Sequence, residues 1–510
     1  MNTARRVAKN SLWTGLELGF GVVLTFATSV LLARTYGPLK LAEYNLLVWF
    51  TYIAGSLATV GLPAATLKYV SEFVGKDQPG MAYRIYTSNF RLQAKLASAM
   101  MAAGLVYVWL AVPADYQWPG FWLVVAIGPR MLGFIPSQIN SATQELERNV
   151  LPAFASNFSS LAMALATVYF GWGILGLALS HPISQTLDLV LKLAMTKRRR
   201  HAWRAAAEGV AIDSGLAARM RTFAYQGMGL LVLNLVVWDR SDLFLLKWLN
   251  PDLRQITFFN YSYTLVEKLL LIPQMIGNSL GVNLMAQQGR PRQQLATMTM
   301  SSATYLLLIG MPVMLGAVAL SRPLWMIYGQ QFAPAATVFS IMALLAIPRV
   351  ILTAANAFMQ ATENQRFSLI SGTLCGMVNI GLDVWLIPSL GAVGAAIGNG
   401  TGQTLAALGT CVFIVRTYQP TVPSGRLLRI LLSAAIMAAA STAVASWLPP
   451  VPGAVAGLAA GVFVYLLLLR VTHALGEEDR NRLLSLTGAF PEGLRYPCNR
   501  ILWSFIPRAR

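Results

Sequence analysis

About fourteen runs of roughly 20 predominantly apolar residues succeed one another along this 510-residue chain, each long enough to cross a bilayer core of about 30 Å as a helix. They lie near 10–33, 44–62, 92–112, 121–139, 150–170 and 174–195, then near 223–249, 258–284, 298–320, 335–359, 367–387 and 392–415, with two more at 427–448 and 454–471. Inside lipid such runs can satisfy their own backbone hydrogen bonds only by coiling into helices. The pattern therefore predicts an all-α, polytopic integral membrane protein with about 14 transmembrane helices, as two six-helix lobes plus two C-terminal helices. With 56% hydrophobic and 12% charged residues, the chain carries far more apolar surface than one soluble core hides. The first run follows Arg5, Arg6 and Lys9 and is too long for a signal-peptide core, so it reads as a retained span.

The net charge of +19 raises the question of nucleic acid, but the basic residues sit in short clusters between apolar runs, which is how charge orients spans in a bilayer. Lys76, Arg84, Arg148, the cluster 197–200, Arg290, Arg292, Arg366, Arg426 and the C-terminal tail all fall on one side; the connections 113–117, 171–173, 388–391 and 449–453 hold no Lys or Arg. Both termini are thereby expected in the cytoplasm, and nucleic acid is not an expected partner. The expected organisation is an N-terminal lobe (1–196), a basic cytoplasmic inter-lobe loop (197–222), a C-terminal lobe (223–416), two additional transmembrane helices (417–472) and a basic cytoplasmic tail (473–510) that mixes aromatics with arginines, as surface-lying segments do.

An internal repeat links the lobes. "GILGLALSHPISQ" from Gly173 and "GAVGAAIGNGTGQ" from Gly391 are offset by 218 residues, and the same offset relates Gln185 to Gln403, Glu145 to Glu363 and Arg148 to Arg366. With one inserted residue, Pro129-Arg130 in "AIGPRML" falls on Pro348-Arg349 in "AIPRVIL". An even number of spans per lobe gives both halves the same orientation, a transporter design that places substrate between the lobes.

An arginine deep in a span costs roughly 2.5–3.5 kcal/mol on insertion scales, so it normally meets a water-filled cavity, a partner or a ligand. Arg130 and Arg349 are such residues, and the proline before each removes a backbone hydrogen bond and can kink the helix. The alternative for each is an acid within its own lobe. "VVWDRSDLFLLKWL" adds Asp239, Arg240 and Asp242, the two acids sharing a helix face three residues apart, with Glu267 and Lys268 in the next span and Glu17 in the first as candidate partners. These charges read equally as an interhelical salt-bridge cluster or as substrate and ion handling. Asp188 and Lys192, four apart, read as a structural pair.

The three cysteines and three histidines show no metal-ligand spacing, so no metal site or cofactor is expected. There is no GxxxxGK[ST], HExxH or GxSxG, and no loop long enough to fold as a catalytic domain. No catalytic residues are expected.

The stretches "ARTYGPLKLAEYNLLVWF…GLPAATLKYVSEFVG", "DRSDLFLLKWL" and above all "FMQATENQRFSLISGTLCGMVNIGLDVWLIPSLGAVGAAIGNGTGQ" resemble the polysaccharide transporter branch of the multidrug/oligosaccharidyl-lipid/polysaccharide exporter superfamily, the Wzx-like flippases. The resemblance runs over about 10–415, and the two extra spans agree with its fourteen-span form. It implies a protein of the bacterial inner membrane that moves undecaprenyl-pyrophosphate-linked oligosaccharides from the cytoplasmic to the periplasmic leaflet by alternating access, in company with polysaccharide polymerase or assembly proteins. The deep basic positions Arg130, Arg349, Arg240 and Lys268 suit its cationic cavity; Glu17, Asp239, Asp242 or Glu267 could couple a proton or sodium ion. A multidrug cation antiporter and a lipid II flippase share the fold; a membrane polymerase or ligase would need a large outer loop.

Overall fold

The computed structural model describes residues 3–235, 241–285, 287, 290–475 and 479. It parts into two compact units, Met1–Asp239 and Arg240–Arg510. Unit 1 is built from α1 (Thr3–Leu57), α2 (Leu62–Gly75), α3 (Pro79–Ala111), α4 (Ala114–Val125), α5 (Ile127–Ala142), α6 (Glu147–Phe170), α7 (Gly173–Ala205) and α8 (Ser214–Leu233). Unit 2 is built from α9 (Ser241–Leu249), α10 (Arg254–Met285), α11 (Arg292–Ala319), α12 (Ser321–Tyr328), α13 (Ala335–Leu345), α14 (Leu352–Ala361), α15 (Gln365–Leu390), α16 (Ala392–Tyr418), α17 (Ser424–Ser446) and α18 (Pro450–Val471). The fourteen expected spans all fall on helix among the described residues. Among the described residues, nine helices are long and apolar enough by themselves to cross a membrane, ten if a bent pair counts as one span.

The departures from straight helix have identifiable causes. The first two expected spans are one helix interrupted at Gly37, whose φ of 69° is a left-handed value that a side chain resists, with Pro38 following. Proline also interrupts the two segments that carry the repeated arginines. Helix gives way at Ala126, between α4 and α5, three residues before Pro129. In unit 2, Pro348 opens a 3₁₀ turn, Pro348–Ile351, and the helices on either side are bent by 42°. A proline has no N–H for the carbonyl one turn back, and the helix bends or tightens there.

The stretch 197–222 is mostly helical rather than a loop: α7 continues through Ala205 and α8 starts at Ser214. Its arginines, good helix formers, continue α7 rather than end it. Arg84 donates to the carbonyl of Ala207 at 3.0 Å, Trp203 is buried in an apolar cluster with Tyr69, Ile85 and Met220, and Gly61 (φ 71°) lies against the backbone of Ala224. The first part of the seventh expected span therefore packs within unit 1. The expected tail lies outside the described residues beyond position 475, except Asp479, which accepts from Tyr305 and pairs with Arg426 at 3.2 Å.

Small residues set the closest helix contacts, as they do where lipid removes the hydrophobic drive between helices. On α16, Gly394, Gly398 and Gly402 face Leu386, Asp383 and Asn379 of α15. On α18, Gly453, Gly457 and Gly461 face Ala445 and Ser441 of α17, and Ser441 Oγ donates to the Gly457 carbonyl at 2.9 Å. A Cβ at Gly457 would lie 2.8 Å from both Leu320 Cδ2 and the Ser441 carbonyl oxygen. Gly457→Leu is therefore expected to destabilise the protein by about 1–3 kcal/mol, the usual cost of overpacking. A lowered thermal unfolding midpoint of the purified variant in detergent checks this.

Candidate functional site

Arg130 sits in the first turn of α5, just past the break that Pro129 accompanies. Its guanidinium lies over the ring of Tyr52 on α1, 4.3 Å from the centroid. Cation–π contact of this kind steadies the charge without consuming its N–H donors. Half-buried, the Arg130 guanidinium forms no ion pair and donates no hydrogen bond to any described residue. Close by, His181 Nε2 on α7 is 2.8 Å from the Tyr44 hydroxyl of α1, and the charge of Arg130 acts on the imidazole. Asp188, further along α7, pairs with Lys192 at 2.6 Å, the i, i+4 arrangement their spacing predicts.

The equivalent arginine in unit 2 is in a different state. Arg349, in the 3₁₀ turn, forms a two-pronged ion pair with Glu267 of α10, its second nitrogen 3.3 Å from Oε2. Fork-on-fork pairing of this sort occupies the guanidinium in the geometry it would otherwise offer to phosphate. Tyr263, one turn before Glu267, adds a hydrogen bond to the same arginine. Lys268 follows Glu267 on α10, turned about 100° from it around the helix.

A second feature of unit 2 is a fully buried polar cluster. Asp242 of α9 and Asp383 of α15, both 0% exposed, lie against one another. Asn399 Nδ2 of α16 donates to Asp242 Oδ2 at 3.1 Å, and Gln403 Nε2 donates to Asn399 Oδ1 at 2.9 Å. Among the described residues, Asp242 Oδ1 and both oxygens of Asp383 find no hydrogen-bond donor. Two carboxylates in contact cannot both stay ionised without a shared proton or a cation between them. Two acids with amide oxygens nearby form a small, hard oxygen site suited to a proton or a monovalent ion. The close approach that builds it depends on Gly398, where any Cβ would run into Asp383.

Of the sequence candidates, Arg130, Arg349, Glu267, Lys268 and Asp242 are described, and Arg349 and Glu267 are directly paired with each other. Asp239 and Arg240 lie outside the described residues; Glu17 lies in α1 and its side chain is outside them as well. Sequence reasoning missed Asp383, Asn399, Gln403, Tyr44, Tyr52 and His181. Asp383 carried a readable signal, an acid inside an apolar run, the same signal that singled out Asp242. The others are ordinary polar residues until their neighbours from distant helices are known.

No protein-family model matches the chain, and no curated protein matches it by sequence. Solved structures do. An inward-closed structure of the lipid II flippase MurJ superposes with a TM-score of 0.70 at 14% identity, covering 91% of this chain and 98% of that one. An inward-facing multidrug resistance MATE transporter of the MOP superfamily gives 0.67 at 12%, covering 78% and 94%. A MOP superfamily transporter from Pyrococcus furiosus, described as having a binding pocket of reversed polarity, gives 0.60 at 12%, covering 81% and 96%. The chain has the MurJ and MATE transporter fold. It is a multi-pass membrane protein, and the neighbours are flippases and transporters rather than enzymes.

The Arg349–Glu267 pair yields a stability test. Glu267→Ala strands a charge in unit 2 and is expected to cost about 1–3 kcal/mol, short of the cost for a fully buried pair because the two side chains keep 21% and 28% of their exposure. Adding Arg349→Ala should recover part of that loss, and a double-mutant cycle of thermal unfolding measures the coupling.

Proposed function

We propose that this protein is a flippase for lipid-linked, pyrophosphate-bearing oligosaccharides, moving them from the cytoplasmic to the periplasmic leaflet of a bacterial inner membrane. The observation that carries the reading is the state of Arg130: an intramembrane guanidinium seated on Tyr52, with no acid or hydrogen-bond partner among the described residues. Burial without a counter-charge is costly, and a planar fork of donors matches a phosphate better than any other common anion. Arg349, its repeat partner, is held by Glu267, so the anion is gripped first by Arg130 while Arg349 becomes available only if Glu267 lets go. The resemblance of 10–415 to Wzx-like flippases and the MurJ-like fold support the same substrate class. The reversed pocket polarity described for the Pyrococcus furiosus neighbour is a precedent for a change of pocket polarity within this fold.

The Asp242–Asp383 pair supplies a place for a proton or sodium ion whose binding biases one conformation over another, as alternating access requires. Basic connections on one side of the spans support cytoplasmic placement of both termini. A lipid II flippase is the second reading, favoured by the extent of the match to MurJ; the two share the pyrophosphate carrier and differ in the glycan. A cation antiporter would leave Arg130 unexplained.

Mass spectrometry of lipid-linked glycans in a strain lacking the gene, with a probe of which leaflet exposes them, tests the proposal. Accumulation on the cytoplasmic face, relieved by the wild-type gene, supports the flippase and identifies the glycan; absence of accumulation in a strain that makes such glycans and has no second flippase overturns it. Arg130→Ala is expected to lower flipping at least tenfold with normal membrane insertion, and Arg130→Lys to restore it only in part, since an ammonium lacks the bidentate fork. Asp383→Asn is expected to fold normally and to abolish the dependence of transport on an imposed proton or sodium gradient, measured in proteoliposomes.

A further inference from the structure

The turn that carries the repeated arginine is held differently in the two units. By the offset that relates Arg130 to Arg349, Ala126 corresponds to Leu345. The Ala126 carbonyl accepts from the backbone N–H of Arg130 at 3.3 Å, so unit 1 closes its own turn. In unit 2 the Leu345 carbonyl accepts from a side chain of another helix, Thr404 Oγ1 of α16, at 2.8 Å. One turn earlier on α16, Gly400 brings the backbone so near that a Cβ would lie 2.6 Å from Leu345 Cδ1. The 218-residue offset relates Thr404 to Thr186 of α7, which is exposed and hydrogen-bonds to no described residue. We propose that α16 is a lever between the acid pair and Arg349, with Thr404 as its positioning residue: a monovalent cation held between Asp242 and Asp383 seats α16, and α16 seats the turn that keeps Arg349 on Glu267. The inference rests on the reading of the acid pair as a cation site, and it supplies what makes Glu267 let go.

Two faces of one helix carry the linkage. Asn399 and Gln403, four apart on α16, hold the acid pair through Asp242. Gly400 and Thr404 are the next residues along, turned about 100° around the helix, so neither face of α16 shifts without the other. Asp383 meets α16 at bare backbone, since a Cβ at Gly398 would run into its carboxylate. A cation between the two carboxylates draws them together; vacant and ionised they repel, and Asp383 pushes on α16 at Gly398. A displacement of about 1 Å takes the bond from Thr404 to Leu345 outside hydrogen-bonding range. The residue three after Leu345 is Pro348, which has no N–H to donate in its place, so the turn that carries Arg349 is then free to rearrange. The path is mechanical, because α16 has no charged residue before Arg416 and α13 and α14 have none at all. Cation binding therefore keeps Arg349 on Glu267, and cation release opens it to an anion. Linkage is reciprocal: an anion on Arg349 weakens the hold on the cation, so the two ligands alternate.

Hydrogen–deuterium exchange of the purified full-length protein in nanodiscs tests the lever, with sodium chloride as the probe. The reference is N-methylglucamine chloride at the same pH and ionic strength, whose cation is too large for the site. In the wild type, sodium is expected to slow exchange around Asp242 and Asp383 and also at residues 345–352, by at least about fivefold, the lower end for coupled sites. Thr404→Val keeps the shape of the side chain without its donor. It is expected to retain sodium protection around the two acids and to lose it at 345–352, and Thr404→Ser is expected to restore it; Thr404→Ala serves if the valine variant does not fold. A threonine that only stabilises the turn would raise exchange there by the same factor with and without sodium. That result, or sodium protection of the turn kept intact in Thr404→Val, overturns the lever. Wild-type protection around the acids with none at 345–352 overturns the lever and leaves the cation site standing. No sodium effect in either place, or an unchanged effect in Asp383→Asn, overturns the cation site and the lever with it.

Discussion

In a hydrocarbon environment a backbone N–H or carbonyl that finds no partner costs several kcal/mol, and no water is present to supply one. Everything else in this structure follows from that constraint. It makes each apolar run a helix, and it makes every interruption of a helix expensive enough to require a local reason. The interruptions here fall where the chemistry is. Gly37 breaks α1, the helix that also brings Tyr44 and Tyr52 to the unit 1 site. The break before Pro129 precedes Arg130, and the 3₁₀ turn opened by Pro348 contains Arg349. A charged side chain at a broken turn sits among carbonyls freed from the helix ladder, which eases its presence in lipid and leaves that turn able to rearrange.

The same constraint applied to charge explains why two equivalent arginines behave differently. Each enters a low-dielectric region in which Coulomb interactions are strong and desolvation is costly. Unit 2 meets the cost of Arg349 inside the protein, with Glu267. Among the described residues, unit 1 offers Arg130 only the face of Tyr52, a weaker and purely electrostatic compensation that leaves its guanidinium donors open. Unit 2 in turn holds an acidic pair, Asp242 and Asp383, which calls for a positive partner. The repeat therefore carries different charge environments at corresponding positions: Arg349 is paired with an acid, and among the described residues Arg130 is not.

The fold was legible in the sequence to a large degree. Apolar run length alone placed the helices, because in lipid the period and length of hydrophobic segments leave few alternatives. What was misread concerns polar stretches. The basic segment after residue 196 looked like a loop between lobes, yet arginines are good helix formers and α7 simply continues through Ala205. The candidate site was legible in part. Arg130, Arg349, Asp242 and Glu267 stood out because charge inside an apolar run is conspicuous. Asp383 should have stood out on the same ground. His181, Asn399 and Gln403 could not, since a polar uncharged residue in a span is commonplace and acquires meaning only from what it touches.

The sequence by itself determined the class of molecule, the helical segments, the duplication and the set of deep charges, all of which depend on local hydrophobicity and on chain register. Only the tertiary structure decided which charges are satisfied. Whether Arg349 meets Glu267, 82 residues away, while Arg130 meets no acid among the described residues is set by the rotation and bend of each helix about its own axis, to within a few ångströms. Helix rotation arises from packing among small residues such as Gly394, Gly398 and Gly402, summed over many weak contacts. No single residue announces that sum, so the chemistry of the site becomes visible only once the helices are packed.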